Sequence, residues 1–407
     1  MKNYKKQFKI SLQFIFDHTL AVICGLLTAY VVTCFSVFIE VNQKIANLGD
    51  YNKYVFMLIC LLLFIKKGGN LTTIKAPGAI WFLIFVIYIA SRMVVYDDEI
   101  SRITVTIGKS YIIFLSVINI CDSDDDYAIY GFWFILFMTI ALLLYINQIG
   151  VENISRIQRR IMSEEFVEIN SNTISYFAAM LFIIYCYIVR NKDTLIVSLF
   201  KAFYFVLASY IIILHASRGA LIILAIATIL RFASFKNLKT IFLSLFGIIL
   251  FFLLIQDIMP DSRMLTDRIY NLEKLEQEKR QDLTSRAWQT FIEDPVWGKG
   301  PQYSYFGMHE NHLEYLNFLI HFGIIGSIIL LIGFFRTFPV SGLLSSRYSI
   351  ILCQFTILFL LFANIITVVP FSLAFLYHEI KSTKGAELSL RKWKLRKLKM
   401  RLSHSPS

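Results

Sequence analysis

The chain has 407 residues, 57% of them apolar and only 17% charged, with a mean hydropathy of +0.62 and a formal net charge of +12. Soluble domains run near about 25% charged, so the composition excludes a disordered chain, a collagen and a small disulfide scaffold. It also argues against a soluble enzyme and for a polytopic membrane protein, because one core cannot bury so much apolar surface.

The charge lies at the two ends. Residues 1–10 carry +4 and residues 381–401 carry +8, leaving the rest net zero. By the positive-inside rule both ends are expected in the cytoplasm, against anionic membrane lipid. No nucleic-acid recognition module accompanies the basic tail, so no nucleic-acid partner is expected. The six Cys are scattered through or beside apolar runs without a Cys-x-x-Cys pair, so they read as small buried hydrophobes.

In chain order, apolar runs predict spans near 19–39, 46–65, 78–96, 102–121, 127–147, 172–190, 195–214, 218–234, 240–257 and 313–335. Lysines and arginines follow the even-numbered spans, at Lys66, Lys67, Lys75, Arg190, Lys192, Arg231, Lys236, Lys239, Arg336 and Arg347. Arg156, Arg159 and Arg160 are the exception. Residues 348–379 fit two short helices, near 348–363 and 365–379, with Asn364 and Pro370 as breakers near the bend. That pair returns the tail to the cytoplasm and brings the expected count to twelve. The chain then divides into an N-terminal membrane region 1–257 of about nine spans, an external lid loop 258–312, a C-terminal membrane region 313–380 and a basic tail 381–407.

The lid loop carries seven bases and nine acids. Leu265, Ile269, Leu272 and Leu275 recur at helical spacing. Trp288, Phe291, Pro295, Trp297 and the turn Gly298-Lys299-Gly300-Pro301 suggest a folded lid against the membrane.

Three places can carry chemistry. Arg218, in Ser217-Arg218-Gly219, either snorkels at the membrane boundary or clamps a phosphate with its planar fork. His215, three residues earlier, reads as a satisfied buried histidine. Arg286 either pairs with Asp282 on an exposed helix or joins that clamp. His312, where the lid re-enters the membrane, suits a general base, whereas the spacing of His309, Glu310 and His312 is not that of a zinc helix. His321 lies deeper and is expected to face protein. Asp122-Ser123-Asp124-Asp125-Asp126 contains Asp-x-Asp, but a solvated loop is expected there rather than a metal site; Asp97-Asp98-Glu99 is read as an ordinary external loop.

The succession Ser217-Arg218-Gly219-Ala220, Arg286-x-Trp288, Asp294-Pro295-x-x-Gly298-x-Gly300-Pro301, His312-x-Glu314-Tyr315-Leu316 and Gly323-Ile324-Ile325-Gly326 resembles the O-antigen ligase and Wzy-type polymerase superfamily. The local match covers about residues 210–335. The resemblance implies an all-α, GT-C-like membrane glycosyltransferase of the bacterial inner membrane, with one large periplasmic loop and a periplasmic active site. The donor would be an undecaprenyl-diphosphate-linked glycan; the acceptor would be lipid A-core for a ligase or a carrier-linked glycan for a polymerase. Arg218 and Arg286 match the diphosphate-binding arginines and His312 the histidine near the acceptor hydroxyl, with Asn311 and Glu314 beside the substrate. The family often has Asn directly after that histidine; here Leu313 follows and Asn311 precedes. Two arginines stabilise a departing diphosphate without metal or cofactor, and a single displacement inverts the anomeric centre.

A flippase for lipid-linked glycan is the rival from another class; it would show inverted repeats and broken midplane helices. A non-catalytic scaffold would not need these three side chains at one face. The end charges predict that reporter fusions after Ile10 and Ser407 both give a cytoplasmic signal, and a periplasmic signal from the C-terminal fusion contradicts twelve spans.

Overall fold

A computed structural model of the chain describes residues 2–33, 52–96, 102–149, 171–190, 194–215, 217–232, 276–300, 314–362 and 372–383. Every regular element among them is helical. In chain order they are α1 (Lys2–Thr33), α2 (Asn52–Lys66), a single 3-10 turn (Leu71–Thr73), α3 (Ala79–Tyr96), α4 (Arg102–Ile120) and α5 (Asp124–Ile149). Then come α6 (Ser171–Ile188), α7 (Leu195–Leu214), α8 (Arg218–Phe232), α9 (Glu276–Glu293), α10 (Glu314–Thr337), the short α11 (Val340–Leu343) and α12 (Arg347–Phe362). A last helix, α13, covers 372–383. Asp124–Leu144, Leu195–Leu214 and Leu316–Thr337 are each long and apolar enough to cross a bilayer, and five further apolar stretches are shorter. This is consistent with a membrane protein. The expected span 240–257 lies outside the described residues, as does much of the lid.

Helix α6 is the hub. From Ile174 to Tyr187 every residue is buried, as expected of a helix that is apolar all round. Helices α5, α7, α8 and α12 surround it. By contrast α7 has two faces: Tyr204, Ala208, Ile211 and Ile212 are buried, while Leu195, Leu199, Phe203 and Val206 are exposed. Such a row of exposed large apolar side chains is what a lipid-facing surface requires.

Helix α1 begins at Lys2, well before the expected span, because Lys, Gln and Leu are good helix formers and charge does not stop a helix outside the bilayer. It lies against α5 so closely that a Cβ on Gly25 would sit 2.7 Å from the Tyr130 carbonyl oxygen. Beside that crossing Thr28 Oγ1 donates to the Cys24 carbonyl at 2.7 Å and lies 3.2 Å from the Tyr130 hydroxyl.

One end of the bundle is a polar network. Lys66 pairs with Asp17 at 2.8 Å and Lys75 with Asp122 at 2.7 Å. His18 meets Asp126 at 3.0 Å, and His378 bridges Asp124 at 2.9 Å and the Tyr187 hydroxyl at 2.8 Å. Arg190 pairs with Glu379 at 3.2 Å, and Ser346 Oγ donates to the same carboxylate at 2.6 Å. The aspartate run is therefore more than a solvated loop. Asp126 is buried and caps α5 reciprocally with Ser123: its N–H donates to Ser123 Oγ at 3.1 Å, and the Ser123 N–H donates to Asp126 Oδ2 at 3.2 Å. The network also settles how α12 and α13 run. Ser346 and Glu379 meet at one end and Thr356 Oγ1 donates to Ser372 Oγ at 2.8 Å further in, so the two helices form an antiparallel hairpin. The expected bend at 364–370 lies outside the described residues.

The α1–α5 crossing predicts that Gly25→Val forces the two backbones apart and costs about 1–3 kcal/mol, the usual toll of overpacking. Thermal unfolding in detergent measures it; an unchanged midpoint contradicts the packing.

Candidate functional site

Helices α3 and α7 begin within five residues of the network's Lys75 and Arg190 and run 18 and 20 residues, about 27 and 30 Å, toward the opposite end of the bundle. That opposite end holds the start of α8 and the lid.

The lid is seated by a break in α10. In a continuous helix the Ile324 and Ile325 N–H groups would bond to the Ile320 and His321 carbonyls. Gly323, at φ 62° and ψ −171°, interrupts that ladder. The turn after α9 takes over all four groups. Ile324 N–H donates to Pro295 O at 2.9 Å and Ile325 N–H to Val296 O at 3.2 Å. Lys299 N–H donates to Ile320 O at 2.7 Å and Gly300 N–H to His321 O at 3.2 Å. This exchange needs backbone contact. A Cβ on Gly298, itself at φ +77°, would lie 2.5 Å from the Gly323 nitrogen and 2.6 Å from the His321 carbonyl oxygen; a Cβ on Gly323 would collide with the Val296 carbonyl.

Helix α3 reinforces the seat. The Tyr88 hydroxyl is within 2.6 Å of the Phe322 carbonyl and 2.8 Å of the Trp297 carbonyl. One turn on, Arg92 Nη2 donates to the Gly298 carbonyl at 3.0 Å and lies 3.8 Å from the Asp294 carboxylate, with the guanidinium 5.6 Å from the Trp297 ring.

The lid helix α9 packs on the first turns of α10 through Ala287, Phe291, Leu316 and Ile320. Arg286, next to Ala287, is exposed beside this contact. Trp288, Ile292, Val296 and Trp297 are also exposed, an apolar stripe of the kind that favours a membrane interface. Arg218 is the first residue of α8, at the same end of the bundle. His312 and Asn311 lie outside the described residues, as do the side chains of Arg218 and Glu314; Glu314 itself opens α10. The structure thus brings Arg286 next to the helix that His312 precedes by two residues, and puts Arg218 at the same end.

His215, in the turn between α7 and α8, is buried, and burial lowers its pKa from 6.5 to about 4. His321 does face protein. Its Nδ1 donates to the Gly300 carbonyl at 3.0 Å, which leaves Nε2 as an acceptor. That atom and Asn317 Oδ1, one turn earlier, are buried without a hydrogen-bond partner among the described residues.

Sequence reasoning missed Tyr88 and Arg92. The available signal was an arginine close to the end of an otherwise apolar span, a position that needs a partner.

Residues 203–331 match the Wzy_C family model, described as O-antigen ligase. No curated protein and no solved structure matches the chain.

Two predictions follow from this geometry. Gly298→Ala and Gly323→Ala each unseat the lid turn, so limited proteolysis should cut between 294 and 300 in either variant and spare the parent; equal resistance contradicts the seat. His215 gives a pH dependence. Its folded pKa is depressed, so its contribution is complete above pH 6.5 and is lost as pH falls toward about 4, when the unfolded chain takes up a proton that the folded chain refuses. The full loss is about 3 kcal/mol. His215→Gln should flatten the fall in thermal midpoint between pH 6.5 and 4.5; an identical slope contradicts it.

Proposed function

From an O-antigen ligase domain spanning residues 203–331, we propose an integral-membrane glycosyltransferase that takes a glycan from undecaprenyl diphosphate at the outer face of the bacterial inner membrane and passes it to lipid A-core or a similar acceptor. The matched segment contains Arg218, Arg286 and His312, and the packing of α9 on the first turns of α10 is the observation that carries the reading. A polymerase uses the same donor chemistry and differs only in taking a carrier-linked repeat unit as acceptor.

In this mechanism Arg218 and Arg286 bind the carrier diphosphate. The acceptor hydroxyl oxygen attacks the anomeric carbon while His312 takes its proton. The carbon–oxygen bond to the diphosphate breaks, its electron pair stays on the diphosphate, and the anomeric centre inverts. Negative charge grows on the leaving oxygens, where guanidinium groups stabilise it most. The step consumes no other reactant. The lid 258–312 holds sugars, Asn311 and Glu314 lie beside the substrate, and the membrane regions 1–257 and 313–380, twelve spans in all, hold the polyprenyl chain between helices. Both termini are cytoplasmic.

Transfer rate and donor affinity, measured at matched expression with a lipid-diphosphate glycan, test the assignment. Arg218→Lys and Arg286→Lys should lose most transfer, since an ammonium lacks the two-pronged fork. His312→Ala should lose about 10²–10⁴-fold in rate and keep donor affinity. EDTA should leave the parent rate unchanged. Near-parent transfer by His312→Ala removes it as base, unchanged donor affinity in both Arg variants removes the clamp, and EDTA loss reversed by magnesium removes the metal-free step.

A further inference from the structure

Arg92 is a charged side chain in an apolar helix, 11% exposed, and each of its contacts described above falls on residues 294–298. A buried guanidinium is costly unless its donors and its charge are matched. Here a carbonyl accepts from Nη2 while a carboxylate and an indole face answer the charge, and all three belong to the segment that directly follows α9. Asp294 is tied to the turn in its own right, accepting from the Trp297 N–H at 3.4 Å. Tyr88, on the same helix, holds the Trp297 carbonyl of the same turn. Helix α3 is therefore a mast to which the end of α9 is lashed from more than 200 positions away in sequence. Arg286 stands two turns before that end on a helix whose other face rests on α10.

We propose that Arg92 is a positioning residue for donor binding: by fixing the Asp294–Gly298 turn to α3, it sets where α9 presents Arg286 to the carrier diphosphate. The proposal rests on the diphosphate reading of Arg286. It assigns Arg92 no contact with substrate. A residue acting only through Arg286 has nothing left to act on once Arg286 is gone, whereas a residue that merely stabilises the fold does.

The test uses the full-length chain in lipid nanodiscs and undecaprenyl diphosphate without glycan as the probe. Affinities are compared for the parent, Arg92→Gln, Arg286→Ala and the double variant, with thermal midpoints recorded alongside. Arg286→Ala should weaken binding about tenfold or more, as expected when a charge-assisted pair is lost. Arg92→Gln should weaken it several-fold. The double variant should bind within about twofold of Arg286→Ala, because the effects of coupled residues do not add. Two milder variants keep the cycle informative if Arg92→Gln does not fold. Arg92→Lys retains the charge and loses the fork, and Asp294→Asn removes the ion pair while retaining the cap; each should show the same non-additivity. Additive losses, or parent-like affinity in Arg92→Gln, Arg92→Lys and Asp294→Asn alike while Arg286→Ala is impaired, overturn the proposal and leave the diphosphate clamp intact. Parent-like binding by Arg286→Ala overturns the clamp itself and the proposal with it.

Discussion

Two ladder hydrogen bonds given up by α10 and four made with the lid turn define the lid end of this protein. A backbone break inside a membrane helix is tolerated only where its freed groups are satisfied by protein. The Ile320 and His321 carbonyls and the Ile324 and Ile325 N–H groups meet that condition only with residues 295–300 in place. The lid is therefore part of the helix it covers. Two glycines make this possible at one point, because any side chain at 298 or 323 would occupy the space where the two backbones touch. From that point outward, the direction of α9 and the placement of Arg286 follow.

The two ends of the bundle differ in chemistry. At the network end charges are paired: Asp17, Asp122 and Glu379 are met by Lys66, Lys75 and Arg190, and the Asp124 carboxylate is met by the His378 ring. These contacts tie α1 to α2 and α5 to α13, His18 and Asp126 join α1 to α5, and Ser346 fixes α13 against the start of α12. At the lid end arginines and tryptophans stand at the rim, with Arg286, Trp288 and Trp297 exposed. The segment 203–331, which matches the O-antigen ligase family model, takes in the start of α8, the lid and the break in α10. Within that segment the seat accounts for one aspartate and three glycines: Asp294 caps the turn, Gly298 and Gly323 permit the crossing, and Gly300 binds the His321 backbone and ring.

Much of the helical plan was legible because apolar runs announce themselves. Helices α3, α4, α6, α7 and α10 fall within a few residues of the expected spans, and the short pair α12 and α13 matches the breakers at Asn364 and Pro370 in number if not in limits. What was not legible is pairing across the chain. Nothing local says that Arg92 meets Asp294 or that Asp126 meets His18, since those partners are set by helix packing. The start of α1 was missed for another reason: hydropathy reports where a helix enters lipid, whereas backbone propensity carries the helix back to Lys2. Gly323 was read as one letter of a motif, but its geometry depends on what docks there. Of the expected site, the neighbourhood of Arg286 and the end of the bundle holding Arg218 are described, whereas His312 and Asn311 are not.

The central claim is that the carrier diphosphate binds at the lid end and not among the lysines of the network end. A polyprenyl diphosphate carrying a photoreactive group next to the phosphates, incubated with the full-length chain in nanodiscs and mapped by peptide mass spectrometry, measures this directly. The account predicts labelled peptides from the start of α8 and from α9, both competed by undecaprenyl diphosphate. Competed labelling confined to peptides around Lys66, Lys75 and Asp122 would contradict it.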